Sequence, residues 1–451
     1  MKIIIVGVGK VGKTIAFNLL KENHDIIVID NDLDVLNDVL NVYDVKGILG
    51  NGASYEVLKE AQAENSDLLI ALTSSDELNI LSCLIGKKIG VKHTIARVRN
   101  PEYSGQVGMI SNELGISLIV NPELEAAKEI SRILRSPGSQ KIESFASGVV
   151  DFVEIKVDDN SLLVNKNLME IRKELDFNIL ICAVERDEEV YIPKGDFVIK
   201  ERDRIFVIAS NKDLFRFFKK LNLVKSKVKS VMIIGGSKVS YYLANELKDL
   251  HYLVKIIDRD EDRCKELSEL LPYVDIIHGE SSDQELLHEE GIENVDALVS
   301  LTGFDEENII ISLYASILKV PKIITKVNRY TSSNILESIG LNTIITPKDI
   351  IANQIIFYVR SLQEAKSTNF ITLYKFLDNQ VEASEFYLSE ETEYTSIPFK
   401  DLKLKKNVLV ACIVRNNKVI VPSGNDTLEE KDTVVIISKD YYLRDLEDIL
   451  E

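Results

Sequence analysis

Short apolar runs without alternation recur through the first 120 residues: Ile3–Val6, Ile26–Ile29, Gly47–Leu49, Leu68–Leu72, Thr94–Val98 and Leu118–Val120. Runs of this kind fit strands buried on both faces, and hence a parallel sheet. Between them lie segments with helical spacing, Val11–Lys21, Leu33–Val42, Ser54–Ala61 and Glu77–Ile89. Strand–helix alternation of this kind predicts a Rossmann-like, doubly wound α/β domain. A further helical segment follows at Pro122–Leu134, with its proline in the first turn. From about 141 to 222 the pattern changes to alternating strands with a turn signal at Pro193-Lys194-Gly195. That stretch reads as a small α+β module with a hairpin around Ile179–Ile192.

The same pattern then starts again. IIIVGVGKVG at 3–12 faces VMIIGGSKVS at 231–240, and Gly7 and Gly235 stand 228 residues apart. Asp30 and Asp258 share that spacing of 228, and Thr73 and Thr302 stand 229 apart. A near-constant offset over several landmarks marks a tandem duplication. Half two has its own helical segment, Pro347–Leu362, and its own hairpin around Leu409–Val421. The expected organisation is an α/β class chain with four domains in two pairs. Doubly wound domains occupy 1–140 and 228–365, and α+β modules occupy 141–224 and 366–451.

The chemistry gathers at the first turn. Gly7-Val8-Gly9-Lys10-Val11-Gly12 follows a strand and opens a helix. Gly7 permits the tight turn, Gly9 lets backbone approach a pyrophosphate, and Gly12 allows close helix–strand packing. The helix start at Lys10 and Val11 supplies amide donors and a positive dipole. Asp30, which ends the next strand, suits two ribose hydroxyls and repels a 2′-phosphate, which favours NAD(H) over NADP(H). Asn51 and Ala53 follow the third strand, where the adenine would lie. Thr73 and Asp76 follow the fourth, although an acid in a helix's first turn is also favoured by the dipole alone. Arg97 and Arg99 end the fifth run, and alternate strand positions face one way. Together they are expected to reach a terminal phosphate. Half two is degraded: Ser237 stands at the close-approach position and Ser240 at the packing position, while Asp258 remains.

Composition narrows the function. The 451 residues carry 54 Lys+Arg against 72 Asp+Glu, a net charge of −18. Such an acidic chain is not expected to hold a nucleic acid polymer, which needs a basic face. Four scattered cysteines and five histidines give no metal spacing and no disulfide framework. The opening Met-Lys-Ile-Ile-Ile-Val-Gly is broken too early for a signal peptide, so a cytoplasmic location is expected. No histidine falls beside the glycine loop, and no Tyr-x-x-x-Lys stretch flanks the cleft. Nucleotide sensing without catalysis is the expected activity, and an NAD-dependent oxidoreductase is the alternative.

The glycine loop, the acid at Asp30, the L-T-S-S-D-E-L-N-I stretch from Leu72 and A-R-V-R-N from Ala96 together resemble the RCK domain (also KTN, or TrkA-N). The modules with Pro193-Lys194-Gly195-Asp196 and Pro422-Ser423-Gly424-Asn425 resemble the TrkA-C domain. The resemblance covers the whole chain in the order N, C, N, C. It implies a regulator of bacterial Trk potassium uptake that binds NAD(H) and ATP or ADP. Gly7, Gly9 and Gly12 would then take phosphates, Asp30 the ribose, Asn51 and Ala53 the adenine side, and Arg97 and Arg99 the far phosphates. The implied partner is a TrkH- or TrkG-like membrane potassium-translocating subunit, reached from the inner face of the membrane. A homo-oligomeric ring, as dimer or tetramer, is also implied, with Pro122–Leu134 and Pro347–Leu362 as assembly elements.

Overall fold

The computed structural model describes residues 1–104, 106–135, 141–175, 177–223, 228–328, 336, 339–341, 343–362, 368–377 and 380–451. The domain boundaries expected near 140, 224 and 365 fall outside these residues. The first half opens with β1 (Lys2–Val6), α1 (Lys10–Lys21), β2 (Asp25–Asp30), α2 (Leu33–Leu40), β3 (Lys46–Leu49) and α3 (Tyr55–Glu60). It continues through β4 (Leu68–Ala71), α4 (Asp76–Ile89), β5 (His93–Arg97), α5 (Pro101–Ser104), α6 (Val107–Leu114), β6 (Leu118–Val120) and α7 (Pro122–Arg135). All six strands are parallel, in the order β3-β2-β1-β4-β5-β6. The order reverses between β1 and β4, and the crevice above that switch point is where such a sheet binds its ligand. Ile3, Ile4 and Ile5 are all almost fully buried, as a sheet covered on both faces requires. The short helices α5 and α6 have too little periodicity to stand out in the sequence.

The first α+β module follows with β7 (Lys141–Phe145), β8 (Val150–Lys156), α8 (Leu168–Leu175), β9 (Ile179–Arg186), β10 (Glu189–Tyr191), β11 (Arg204–Ser210) and α9 (Asn211–Lys220). Its antiparallel sheet runs β10-β9-β11-β8-β7, and the expected hairpin is β9–β10. The second half repeats the parallel sheet with β12 (Ser230–Ile234), α10 (Lys238–Lys248), β13 (Leu253–Asp258), α11 (Glu261–Leu270), β14 (Asp275–His278) and α12 (Gln284–Glu289). After these come β15 (Ala297–Ser300), α13 (Asp305–Ile317), β16 (Lys322–Lys326), β17 (Ile344–Ile345) and α14 (Pro347–Ser361). The closing module has β18 (Thr368–Phe376), β19 (Val381–Leu388), β20 (Val408–Arg415), β21 (Lys418–Ile420) and β22 (Thr433–Lys439), with β20–β21 as its hairpin.

The two halves are clasped by exchanged helices. Ala126, Ala127, Ile130 and Ile133 of α7 pack into the core of the second parallel domain with Val231, Leu243 and Leu247. In return, Ile351, Ala352, Ile355 and Val359 of α14 join Ile3, Ile5, Ile15 and Leu19 of the first. The helices expected to join separate copies therefore have their apolar faces buried within one chain. The duplication explains this: one chain supplies both partners of an exchange that single-copy chains would make in pairs.

The two antiparallel sheets also meet face to face. Phe376 lies 4.8 Å from Phe152 and 4.7 Å from Phe206, centroid to centroid. At this seam Glu385 is 3% exposed and accepts a hydrogen bond from the Ala146 amide at 3.0 Å. Burial pushes its carboxyl up to about 7 despite that bond. Its folded value thus lies above the unfolded value of 4.5. The associated stability is full below that unfolded value and is lost as pH rises through about 7. Glu385→Gln should therefore raise the melting temperature at pH 8 relative to the parent and flatten its pH profile between 5 and 8. The change is on the order of 2 kcal/mol, and thermal unfolding at several pH values measures it. Parallel profiles for parent and variant would contradict this account.

Candidate functional site

Above the β1–β4 switch point lies a cavity of about 610 Å³. Gly7, Gly9, Lys10 and Val11 line it at the start of α1, and Asp30, Asp32 and Val35 line it from the end of β2 onward. Gly7 must be glycine: its φ is +87°, and an added Cβ would stand 2.7 Å from the Thr73 nitrogen. At Gly9 an added Cβ would meet no protein atom within 4 Å, so the backbone there stands bare to the cleft. Gly12 lies behind the lining. A Cβ there would come within 2.2 Å of the Gly7 carbonyl oxygen, so α1 approaches the loop as closely as backbone allows.

Asp30 is held by two amides: Val8 donates to Oδ2 at 2.8 Å and Asp32 to Oδ1 at 3.0 Å. A carboxylate has about four acceptor sites, so two remain for the cleft. Asn51 and Gly52 line the β3 side. Ala53 lies outside the lining, and its amide donates to Asn51 Oδ1 at 2.9 Å, fixing the turn that presents Asn51.

On the β4–β5 side the structure divides the expected residues. Thr73 and Arg97 line the cleft, whereas Asp76 and Arg99 do not. Arg97 donates to the Thr73 carbonyl at 2.6 Å, and burial, with the neighbouring Arg99 charge, pulls its guanidinium down to about 10. It remains a cation at neutral pH. Arg99 instead donates to the Ser74 carbonyl at 2.6 Å and lies 3.7 Å from both Asp76 and Glu123. The expectation that both arginines face the crevice fails because β5 ends at Arg97. Strand alternation does not extend two residues beyond a strand's end. Asp76 Oδ2 accepts the amides of Arg99 and Asn100, each at 2.8 Å, and so braces the turn after β5. Asn79 completes the brace, accepting the Thr73 amide at 2.8 Å and donating to the Arg97 carbonyl at 2.9 Å.

Half two supplied a signal for this bracing role. The equivalents Asp305 and Asn308 persist there although the glycine loop has decayed. Asp305 takes the Asn328 amide at 2.9 Å, and Asn308 bonds Thr302 and the Lys326 carbonyl at 2.8 and 3.0 Å. The same bracing bonds thus recur in a half whose glycine loop differs.

The second cleft is smaller, about 330 Å³. Ser237 and Asp258 line it, and the Gly236 and Asp260 amides hold Asp258 as the Val8 and Asp32 amides hold Asp30; the difference is Arg263, which reaches over to the Gly236 carbonyl at 2.6 Å. Arg259 lies over the Phe304 ring at 5.5 Å. Protein side chains thus fill space that stays open in the first half.

The comparisons with known proteins follow this geometry. The TrkA-N domain model matches residues 3–122 and 231–347, and the TrkA-C domain model matches 152–222 and 384–451. The chain belongs to the TrkA family. Among curated TrkA relatives, a Trk system potassium uptake protein TrkA homolog of Archaeoglobus fulgidus is 30% identical over the full length of both chains. Homolog 1 of Methanosarcina mazei is 32% identical over 97% of each. The solved structure described as the GsuK channel bound to NAD superposes with a TM-score of 0.62 at 17% identity, covering 97% of this chain and 77% of that one. The GsuK RCK domain gives the same score with 92% of its own chain covered. At these identities the likeness shows the fold: both TrkA-N domains are RCK-type Rossmann sheets. No helix among the described residues is long and apolar enough to cross a membrane.

Proposed function

We propose that this TrkA-family chain is a nucleotide-sensing regulatory subunit of a potassium uptake system. In this reading it holds NAD(H), ATP or ADP in the first TrkA-N cleft and acts from the cytoplasm on a TrkH- or TrkG-like membrane partner. The observation that carries it is the bare glycine loop and two-amide-anchored Asp30 at the switch point of a chain whose full-length relatives are Trk potassium uptake proteins. The Gly9–Val11 backbone would take phosphates, Asp30 the ribose hydroxyls, and Asn51 with Gly52 the adenine edge. A ligand regulates the partner only through its different affinity for two conformations of the assembled ring. With α7 and α14 engaged inside the chain, ring contacts between copies fall to other surfaces.

Asp30→Ala removes an oriented, charged acceptor for two hydroxyls and should weaken NAD(H) binding by about 1.5–3 kcal/mol. Asp258→Ala should change affinity far less, because its cleft is smaller and Arg263 reaches across its glycine loop. Isothermal titration checks both, and the reverse order of losses would place the working site in half two. The membrane role is tested by recovery of a potassium-translocating subunit with the full chain from membranes, with and without ATP.

A further inference from the structure

The first cleft is not built by its own half alone. Asn328, Pro347 and Lys348, all from half two, line it beside Pro122 and Glu123. The second cleft has no lining residue from either α7 or α14. Among the described residues, only the first site is therefore completed by the opposite half.

Helix geometry fixes where Lys348 stands. At the far end of α1, Glu22 caps the helix and bonds Arg360 of α14 at 2.7 and 3.0 Å. Counting back from this junction, Lys10 precedes Glu22 by 12 residues and Lys348 precedes Arg360 by the same 12. At 1.5 Å per residue both lie about 18 Å along the packed pair. Both also line the cleft, so the helices run parallel and bring their N-termini to it together. Packed helices stand about 8–10 Å apart. Lys348 thus sits level with the start of α1, across the cleft mouth from the loop that would hold the first phosphates.

Most of the other charges in the lining are engaged, Lys10 at the start of α1 excepted. Asp32 caps α2, accepting amides from Asp34 and Val35 at 2.9 and 3.2 Å. Glu123, which holds the corresponding position on α7, faces Arg99. Arg97 is bonded to Thr73. Lys348 has no hydrogen bond or ion pair among the described residues. A lysine ammonium left uncommitted at a cleft mouth, beside two helix N-termini, is matched in charge by a phosphate.

We propose that Lys348 reads the terminal phosphate of a nucleoside triphosphate held in the first cleft, so that half two distinguishes triphosphate from diphosphate in a site framed by half one. The inference rests on the nucleotide reading above. The phosphate-counting role was expected of Arg97 and Arg99 together; only Arg97 lines the cleft, and the second cation comes from the other half, 249 positions from Arg99. A triphosphate would then bridge the halves at the N-termini of α1 and α14, opposite the ion pair that joins their C-termini.

The test is isothermal titration of ATP, ADP and NAD into the full chain and into Lys348→Gln and Lys348→Arg. Lys348→Gln should lower ATP affinity tenfold or more and ADP or NAD affinity less than threefold. Lys348→Arg should keep most of the difference, and the melting temperature without ligand should not move. Equal losses for ATP and ADP, or unchanged ATP affinity, overturn the proposal while leaving nucleotide binding itself standing. A parent chain that binds none of the three overturns both.

Discussion

Arg360→Met should cost the fold about 3–5 kcal/mol, although it removes a single charge far from either cleft. Arg360 is 2% exposed and bonds two carboxylates, Glu22 at the end of α1 and Glu382 on β19, the latter at 2.8 and 2.9 Å. Lys375 on β18 completes the group, 3.2 Å from Glu382 and 3.5 Å from Glu22. The Tyr442 ring covers both cations, 5.6 and 5.4 Å away. Two positive and two negative charges, shut from water, balance. Methionine fills much of the volume but leaves two buried carboxylates sharing one ammonium, which is the costly arrangement. Burial alone would raise the Glu22 carboxyl, yet the Arg360 bonds and charge, with Lys375, hold it below its ordinary range. That stability is present above the unfolded carboxylate value and is lost as pH falls through the depressed folded one. The Met variant should lose this acid-side dependence together with its stability. Replacing Glu22, Arg360, Lys375 and Glu382 together by apolar residues should recover most of the loss. Thermal and denaturant unfolding measure both, and a loss under 1 kcal/mol for Arg360→Met would mean the cluster is accessible to water after all.

That cluster could not be read from the sequence. Its members stand at 22, 360, 375 and 382, and nothing local marks Glu22 as more than a polar helix end. The first half does not repeat it: in matching strand register Ser144 faces Asp151, where Lys375 faces Glu382. What could be read was whatever follows from periodicity and turn chemistry. Both parallel sheets announced themselves through unbroken apolar runs, and the glycine loop through the spacing of Gly7, Gly9 and Gly12. The reading went astray where a short-range rule was carried past the end of its element, as at Arg99. It also fell short where a contact crosses between the halves, as at Lys348. The exchange of α7 and α14 lies in the same blind spot, because an amphipathic face shows that a helix is covered but not by what.

Gly12→Ala should damage both fold and binding, while changes at its counterpart Ser240 should be mild. At Gly12 the new Cβ would stand 2.2 Å from the Gly7 carbonyl oxygen, and that carbonyl has little room to yield. The Gly7 amide is bonded to Ile29 at 2.8 Å, its φ of +87° is already one that side chains avoid, and Thr73 backs it closely. Relief must come from moving α1 away from the loop, which disturbs the helix packed against α14 and the phosphate cradle together. Overpacking of this kind costs about 1–3 kcal/mol in stability. Nucleotide affinity should fall at least tenfold, about 1.4 kcal/mol, because the backbone amides no longer converge. In half two the same position carries a side chain already, and the Ser240 hydroxyl donates to the Gly235 carbonyl. Ser240→Ala therefore removes that buried hydrogen bond and the one between the Ser237 and Ser240 hydroxyls at 3.1 Å, each worth about 1 kcal/mol, and should leave ligand affinity unchanged. Melting curves and titrations on the two variants decide it. An unchanged affinity in Gly12→Ala would show that the first loop is not as tightly closed as the Gly7–Gly12 approach requires.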